Sequence, residues 1–236
     1  MKFVISLLLM APVMRANLLT NGGFEQPHVT GATSQEFLAG STDIPGWLVV
    51  PGYPADVTIM RDDFTIGSLT FLPQSGSQSL NLTGDFSGED AGVLQNVDLK
   101  IGHDYILTFF VGNADNSAPD FTLDASASLT LNGDFIGIYT NGHNTHNGVN
   151  WKEFQYTFTA TQKTNSIEFQ NATVPNEDYI GLDGVDLQDI TDKRGDETPE
   201  PGTIGLTGLA LLAAGWRRRN KRDYQAEASR PAPQQN

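Results

Sequence analysis

The chain of 236 residues has no cysteine and few basic residues. Without cysteine it has no disulfide framework, no thiolate metal site and no cysteine nucleophile. Lysine and arginine number 14 against 28 acidic residues, which leaves a net charge of −14 at pH 7. A nucleic-acid-binding protein needs a basic surface to contact phosphates, so this balance excludes that class. The hydrophobic fraction of 39% is too high for a fully disordered chain.

The first 16 residues, MKFVISLLLMAPVMRA, have the layout of a secretory signal peptide. Lys2 precedes an apolar run that ends at Val13, and the small residue Ala16 follows. The run is too short for a membrane span. We predict cleavage after Ala16 and a mature chain that begins at Asn17; the alternative is a first buried strand or helix.

The C-terminal region has three parts in a fixed order. A polar linker, residues 193–201, precedes the uncharged stretch GTIGLTGLALLAAGW at 202–216, and a basic cluster follows up to Arg222. Fifteen helical residues span about 22 Å, which is short for a hydrocarbon core of about 30 Å. Lysine and arginine stay on the cytoplasmic side of a membrane. The pattern therefore predicts a transmembrane helix that anchors the chain transiently in the inner membrane.

This order of segments resembles the PEP-CTERM sorting signal of exported proteins in Gram-negative bacteria. The residues that carry the resemblance are Pro199, Glu200, Pro201, Arg217, Arg218 and Arg219. It implies an exosortase as partner, cutting near the Pro-Glu-Pro, and a final place at the cell surface or outside it. Members often accompany exopolysaccharide and biofilm production. Residues 223–236 extend past the usual end of such signals, and we expect them to be disordered.

The part between the two terminal signals is more acidic than the whole chain. Residues 17–198 hold six basic and 25 acidic residues, a net charge of −19. Such a surface repels polyanions and favours divalent cations or neutral partners.

Residues 17–192 show the period of β-strands and no convincing helical period. Apolar residues and Ser or Thr alternate through 125–131, and Asn132-Gly133, a strong hairpin signal, follows. Phe154, Tyr156 and Phe158 share one face of a later strand. Roughly ten short strands separated by turn residues predict one all-β domain, an antiparallel β-sandwich or jelly roll.

Five blocks of this domain together resemble the family called domain of unknown function 642 and galactose-binding-like sandwiches in general. They are residues 17–25, 44–47, 73–82, 102–109 and 179–187. The family is known from plant cell walls and bacterial exported proteins. Similar first and last blocks occur in carbohydrate-binding modules of xylanases and glucanases. The resemblance implies a polysaccharide ligand at the cell surface or in the extracellular matrix.

Two acidic residues in the end blocks are the predicted metal ligands. The first and last strands of such a sandwich lie adjacent, which brings Glu25 and Asp183 together. The resemblance implies that these positions hold a structural Ca²⁺. Glycines such as Gly23 and Gly184 let the backbone turn its carbonyls toward an ion. The alternative is a solvent-facing strand residue and a turn former.

Aromatic and amide side chains suggest where a sugar would bind, because sugar rings stack on aromatic faces. Tyr53, in a loop between Gly52 and Pro54, is the expected platform. The expected rim is the polar loop 141–148, with Asn141, His143 and Asn144. Trp47 and Trp151 are expected in the core.

No motif points to catalysis. His143 and His146 lack the HExxH context, and GxSxG is absent. Adjacent acids such as Asp62 and Asp63 do not supply the separated carboxyl pair of a glycosidase. We therefore predict a non-enzymatic, polysaccharide-binding surface protein. The alternatives are a structural matrix or biofilm protein that makes only protein contacts and, more distantly, a glycoside hydrolase.

Overall fold

A computed structural model describes residues 16–50, 55–84, 91–115, 121, 123–142, 148–173 and 179–191. These residues form an all-β, antiparallel sandwich, as predicted, with thirteen strands in the described ranges. The strands are β1 (Ser34–Leu38), β2 (Leu48–Val50), β3 (Asp56–Arg61), β4 (Thr65–Ile66), β5 (Leu69–Thr70), β6 (Gln78–Asn81), β7 (Gly92–Asp98), β8 (Asp104–Asp115), β9 (Ala125–Leu131), β10 (Asp134–Asn141), β11 (Gly148–Thr159), β12 (Thr164–Asn171) and β13 (Ile180–Asp189).

Two sheets make the sandwich. The six-stranded sheet has the order β1-β3-β6-β13-β8-β11, and the five-stranded sheet has the order β10-β9-β12-β7-β2. A separate small hairpin pairs β4 with β5. The last strand of the domain, β13, therefore lies in the middle of the larger sheet.

Local sequence explains the hairpin between β9 and β10. Asn132 and Gly133 both have positive φ, 57° and 84°, as a tight hairpin turn requires. Ala125, Ala127 and Leu129 of β9 are buried, and a bulge near Phe135 shifts the pairing of β10. Phe135 and Ile138 consequently face solvent, with 64% and 56% of their surface exposed.

Phe109 of β8 is at the centre of the core between the sheets. Its ring centroid is 5.0 Å from that of Tyr139, 5.9 Å from Phe154 and 4.8 Å from Phe169. Aromatic groups from four strands thus meet across the two sheets, which supplies large buried apolar area in a domain without disulfides.

The N-terminal segment lies along β13. The side chain of Asn17 donates to the carbonyl of Val185 (2.8 Å) and accepts from the backbone N–H groups of Leu19 and Leu187 (2.9 Å each). Leu18 also donates its N–H to the Leu187 carbonyl at 2.9 Å. Asn17, the predicted first residue after signal cleavage, is therefore built into the fold.

Replacing Asn17 with alanine is expected to destabilise the domain by about 2 kcal/mol, because three backbone groups lose their partner. Urea unfolding of the Asn17→Ala variant measures the loss. Asn96→Ala, at an exposed asparagine of β7, is the control and should change stability by less than about 0.5 kcal/mol. Equal effects of the two substitutions would contradict the structural role of Asn17.

The described ranges contain no helix long and apolar enough to cross a membrane. The predicted signal peptide, except Ala16, and the whole of the predicted linker, anchor, Arg cluster and tail fall outside the described residues.

Candidate functional site

A second hydrophobic cluster covers one end of the outer face of the six-stranded sheet. Its buried members are Met60, Leu69, Phe71, Ala114, Phe121 and Tyr179. Phe71 is central, with ring centroids at 5.0 Å from Tyr179 and 5.7 Å from Phe121. Residues 73–78 then lead from this cluster into β6 and border two carboxylates, the buried Asp183 and the partly buried Glu25.

Asp183 is one of these carboxylates and is fully buried, with 0% of its surface exposed. Its Oδ2 accepts the backbone N–H groups of Gln74 (3.0 Å) and Ser75 (3.1 Å), and its Oδ1 accepts that of Gly184 (2.7 Å). The register of β13 against β8 shifts between Asp183 and Asp186. Gly184 has φ of 58° there, a conformation that favours glycine.

Glu25 binds the same loop from the N-terminal side. Its Oε1 accepts the backbone N–H groups of Ser77 (2.9 Å) and Gln78 (3.2 Å), and its Oε2 accepts the Ser77 hydroxyl (2.7 Å). Glu25 and Asp183 together therefore fix residues 74–78, although each is far from this loop in sequence.

The carboxylate of Asp183 is shaped by its burial and by the charge of Glu25. Burial is the main cause that raises the pKa of Asp183 to about 7, and the negative charge of Glu25 raises it further. The backbone donors of the loop oppose the shift. Gly23 lies between the two: a Cβ built there would be 3.8 Å from Asp183 Oδ1 and 4.0 Å from Glu25 Cγ.

These groups fit a hard cation. Glu25 Oε2 and Asp183 Oδ1 each accept a single hydrogen bond, so each keeps a lone pair for a ligand. A cation there would compensate the buried charge that raises the pKa of Asp183. Within the described ranges no group of three or more His, Cys, Asp or Glu residues gathers, so further ligands would be backbone carbonyls or water.

Buried hydroxyl groups adjoin Asp183. Ser79 Oγ and Tyr179 Oη are both buried, and the Ser79 hydroxyl lies close enough to that of Tyr179 to act on its pKa, in the lowering direction. Burial raises the pKa of the Tyr179 hydroxyl far above its usual range, and the charge of Asp183 adds to the shift. The neighbourhood of Asp183 is thus polar although the covering cluster is apolar.

Trp151 packs on the outside of the sheet and is not in the core where the sequence placed it. It is half-buried, and its ring lies over Gly112 and Gly181, where a Cβ would approach to 2.8 Å and 2.6 Å. Its Nε1 donates to the Leu72 carbonyl at 3.0 Å. The two glycines, register partners on β8 and β13, provide the flat space that the indole occupies.

Trp47 is in the core, as predicted, with 2% of its surface exposed. Its ring packs on Phe24, with centroids 5.4 Å apart, and its Nε1 donates to the Asn21 carbonyl at 3.1 Å. A shallow surface pocket beside it is lined by Thr42, Gly46, Trp47, Leu48, Leu94 and Asn96.

The rest of the outer face of the six-stranded sheet is formed by β13, β8 and β11, and in the described part of the chain the outward side chains of β11, Glu153, Gln155, Thr157 and Thr159, are exposed. Tyr105, Leu107 and Phe109 of β8 face the core, so Ile106, Thr108 and Phe110 face outward and are half-buried. We call the row formed by Ile106, Thr108 and Phe110 the central strip. Gln155 and Asp186 are the register partners of Thr108 on its two sides.

Both sides of the central strip carry the same pair of groups. On β11, Gln155 Nε2 donates to Glu153 Oε1 at 2.8 Å. On β13, Gln188 Nε2 donates to Asp186 Oδ2. Each glutamine thus binds the acid two residues before it on its own strand, and the two amide–carboxylate pairs border the strip.

The predicted sugar-binding residues are placed differently. Tyr53, His143 and Asn144 fall outside the described residues. Asn141 is buried at the end of β10, and its Nδ2 donates to the carbonyls of Val111 and Asn150 at 2.8 Å each. Its amide therefore joins β10 to β8 and β11, and a ligand would have to replace these bonds.

Sequence reasoning did not single out the outward residues of β8, β11 and β13. Gln155, Gln188 and Asp186 alternate with buried apolar residues, so each resembles an ordinary solvent-facing position. Only the pairing of β8 with both other strands brings them to one face. The acid-x-Gln spacing at 153–155 and 186–188 recurs at 168–170 in β12 of the other sheet, so it does not by itself point to this face.

Comparisons with known proteins give two family matches. A model described as "Protein of unknown function (DUF642)" matches residues 17–185, and one described as "PEP-CTERM protein-sorting motif" matches residues 197–219. No curated protein matches significantly.

Solved structures with the same fold are distant in sequence. A Stig cyclase, Fisc, from Fischerella sp. TAU is 18% identical, with a TM-score of 0.52, and the match covers 76% of this chain and 100% of that one. A family 16 carbohydrate-binding module is 17% identical, TM-score 0.41, with 72% and 99% covered. The CBM22-1 xylan-binding domain of Paenibacillus barcinonensis Xyn10C is 16% identical, TM-score 0.39, with 67% and 94% covered.

Proposed function

Because the chain belongs to the DUF642 family and carries a PEP-CTERM sorting motif, we propose that it is a non-catalytic polysaccharide-binding protein of the cell surface or extracellular matrix. The sorting motif indicates an exported protein. Polysaccharide as the ligand, and the cell surface or extracellular matrix as the place of binding, are the parts that we propose.

The observation that carries the proposal is the outer face of β13, β8 and β11 as the described residues form it, with exposed side chains of β11 beside a half-buried strip on β8. A half-buried apolar strip bordered by fixed amide and carboxylate groups suits a sugar chain, which has apolar ring faces and hydroxyl edges. A strand of twelve residues such as β8 offers a long track of this kind.

The arrangement of acids favours binding over hydrolysis. Glu153 pairs with Phe110, whereas Asp186 pairs with Thr108 on the far side of β8. Two strand spacings and a two-residue offset place these backbone positions about 12 Å apart. Each carboxylate is turned to the glutamine of its own strand and not to the other acid, whereas a glycosidase directs two carboxyls, about 5–10 Å apart, at one bond.

We further propose that Glu25 and Asp183 hold a structural Ca²⁺. The partly buried carboxylate of Glu25 and the buried one of Asp183 would provide oxygen ligands, with backbone carbonyls or water completing the set, and would contribute no chemistry on a substrate. The ion would hold the N-terminal segment, the 74–78 loop and β13 together.

For sorting, we propose an exosortase as partner, export by the Sec route and a transient inner-membrane stage in a Gram-negative bacterium. The motif match at residues 197–219 supports this course. Pro199, Glu200 and Pro201 would mark the processing region, and Arg217, Arg218 and Arg219 would stop transfer on the cytoplasmic side.

The function is tested by affinity electrophoresis of the chain from Asn17 onward in gels that contain xylan, β-1,4-galactan or β-glucan, with 1 mM Ca²⁺. We expect retardation by at least one polymer. Phe110→Ala should reduce the retardation about tenfold, since it removes the apolar floor. The control Phe135→Ala, an exposed phenylalanine of the other sheet, should bind as the wild type does. No retardation in any gel would favour the structural matrix protein instead.

A further inference from the structure

The border of the central strip presents hydrogen-bond acceptors. Each glutamine Nε2 gives one of its two N–H groups to its neighbouring carboxylate, which leaves one N–H donor against the glutamine Oε1 and the several remaining carboxylate lone pairs. A ligand that lies on the strip therefore meets mainly acceptors, and it must supply donors such as hydroxyl groups.

No basic residue of β8, β11 or β13 lies on this face. Lys152 is the one basic residue of β8, β11 and β13. Its register places it on the opposite face, where its Nζ donates to the Thr140 carbonyl (3.1 Å) and lies 5.0 Å from the centroid of the Phe154 ring. Glu153 and Asp186 thus have no cation of these strands beside them.

We infer that the two amide–carboxylate pairs, Glu153–Gln155 and Asp186–Gln188, make this face select uncharged polysaccharide chains over acidic ones. Hydroxyl donors of a neutral chain match the acceptors of the border. A uronate, sulfate or phosphate group brings like charge against Glu153 and Asp186, and β8, β11 and β13 place no basic side chain on this face to receive it. The inference rests on the proposed polysaccharide binding and names the substrate class.

A second copy of the chain does not fit this face. An isologous contact would bring Glu153 and Asp186 of one copy against the same acidic face of the other. An uncharged chain avoids this repulsion, and its ring faces cover Ile106 and Phe110. The face therefore has one occupant that matches it in both charge and hydrogen-bond donors.

The test compares polymers that differ in charge. Affinity electrophoresis of the wild-type chain from Asn17 onward uses xylan, β-1,4-galactan and β-glucan as neutral probes and polygalacturonate as the acidic probe. We expect the affinity for the best neutral polymer to exceed that for polygalacturonate at least tenfold. Repeating the measurement with polygalacturonate in 0.5 M NaCl should reduce the difference between the two affinities, because salt screens the electrostatic repulsion.

The double variant Glu153→Gln, Asp186→Asn keeps the side-chain size and removes both charges. It is expected to bind polygalacturonate at least fivefold more tightly than the wild type. The matched control, Asp134→Asn with Glu168→Gln, removes two charges from the five-stranded sheet and should leave the preference unchanged. Thermal melts check that each variant is folded, and the single variants are measured in parallel.

Three outcomes overturn the inference. If the wild type binds polygalacturonate as well as the neutral polymers, selectivity is absent but the proposed function stands. If the double variant and its control change alike, selectivity comes from net charge and not from this face. If the wild type binds none of the polymers, both the inference and the proposed function fail.

Discussion

In buffer with EDTA, the melting temperature of the chain is expected to fall by roughly 6–12 °C as the pH rises from 5 to 8. Asp183 causes the fall, because burial raises its pKa from 3.8 to about 7 in the folded state. The folded domain therefore holds a proton that the unfolded chain has already lost above pH 4. The corresponding stability, about 3 kcal/mol over this range, disappears as the pH passes 7.

Asp183→Asn is expected to abolish most of this pH dependence, since asparagine keeps the size and cannot ionise. Asp98 and Asp189 do not mask the effect. Their pKa values are lowered, so the stability they contribute is lost only below about pH 4. Differential scanning calorimetry at pH 5, 6, 7 and 8 measures the profile, with Asp134→Asn as an exposed control.

Calcium is expected to reverse the trend at high pH. With 1 mM CaCl₂ at pH 8, where Asp183 is ionised, the melting temperature should recover, and the ion should have no effect on Asp183→Asn. A wild-type chain that melts alike in EDTA and in CaCl₂ would exclude the proposed Ca²⁺. A melting temperature that does not change with pH in EDTA would contradict the raised pKa of Asp183. The experiment therefore tests the raised pKa and the proposed Ca²⁺ site separately.

Gly22→Ala is expected to cost about 3 kcal/mol, the upper part of the range for overpacking. A Cβ at residue 22 would be 1.9 Å from the Val185 carbonyl oxygen and 2.9 Å from its carbon. These are backbone atoms, so no rotamer change relieves the clash. The hydrogen bond from the Val185 N–H to the Gly22 carbonyl, 2.9 Å long, would be lost with it.

Gly23→Ala, one residue on, is the matched control. The nearest atoms to its Cβ, Asp183 Oδ1 and Glu25 Cγ, are 3.8 Å and 4.0 Å away, which is ordinary contact. Urea unfolding in EDTA should show Gly22→Ala strongly destabilised and Gly23→Ala within about 0.5 kcal/mol of the wild type. A Gly22→Ala variant as stable as Gly23→Ala would mean that the N-terminal segment does not lie on β13 as described.

The fold could be predicted because its signals are local. The alternation through 125–131 and the Asn132-Gly133 turn each act over a few residues, and the hairpin follows from them. The family match at 17–185 agrees with the resemblance seen in the blocks. The metal role of Glu25 and Asp183 remains a prediction, although the structure brings both to one loop.

The remaining features depend on contacts between distant residues. From the sequence alone Trp151 is predicted to be a core residue. The space that its ring occupies on the outer face is provided by Gly112 and Gly181, which lie on two other strands. Glu25 binds Ser77, 52 residues away, and Asp183 binds Ser75, 108 residues away. A local sequence pattern cannot predict partners at such separations. The outer face of β13, β8 and β11 likewise exists only because β8 pairs with both β11 and β13.

The place of β13 has a consequence for the order in which the domain forms. The chain reaches this strand last, yet it lies between β6 and β8 and also binds Asn17 at the very start of the domain. A nascent chain that lacks residues 180–189 has β8–β11 and β1–β3–β6 as two separate groups of strands. The larger sheet can therefore close only after almost the whole domain has been synthesised, and until then the edges of β6 and β8 that β13 will cover stay unpaired.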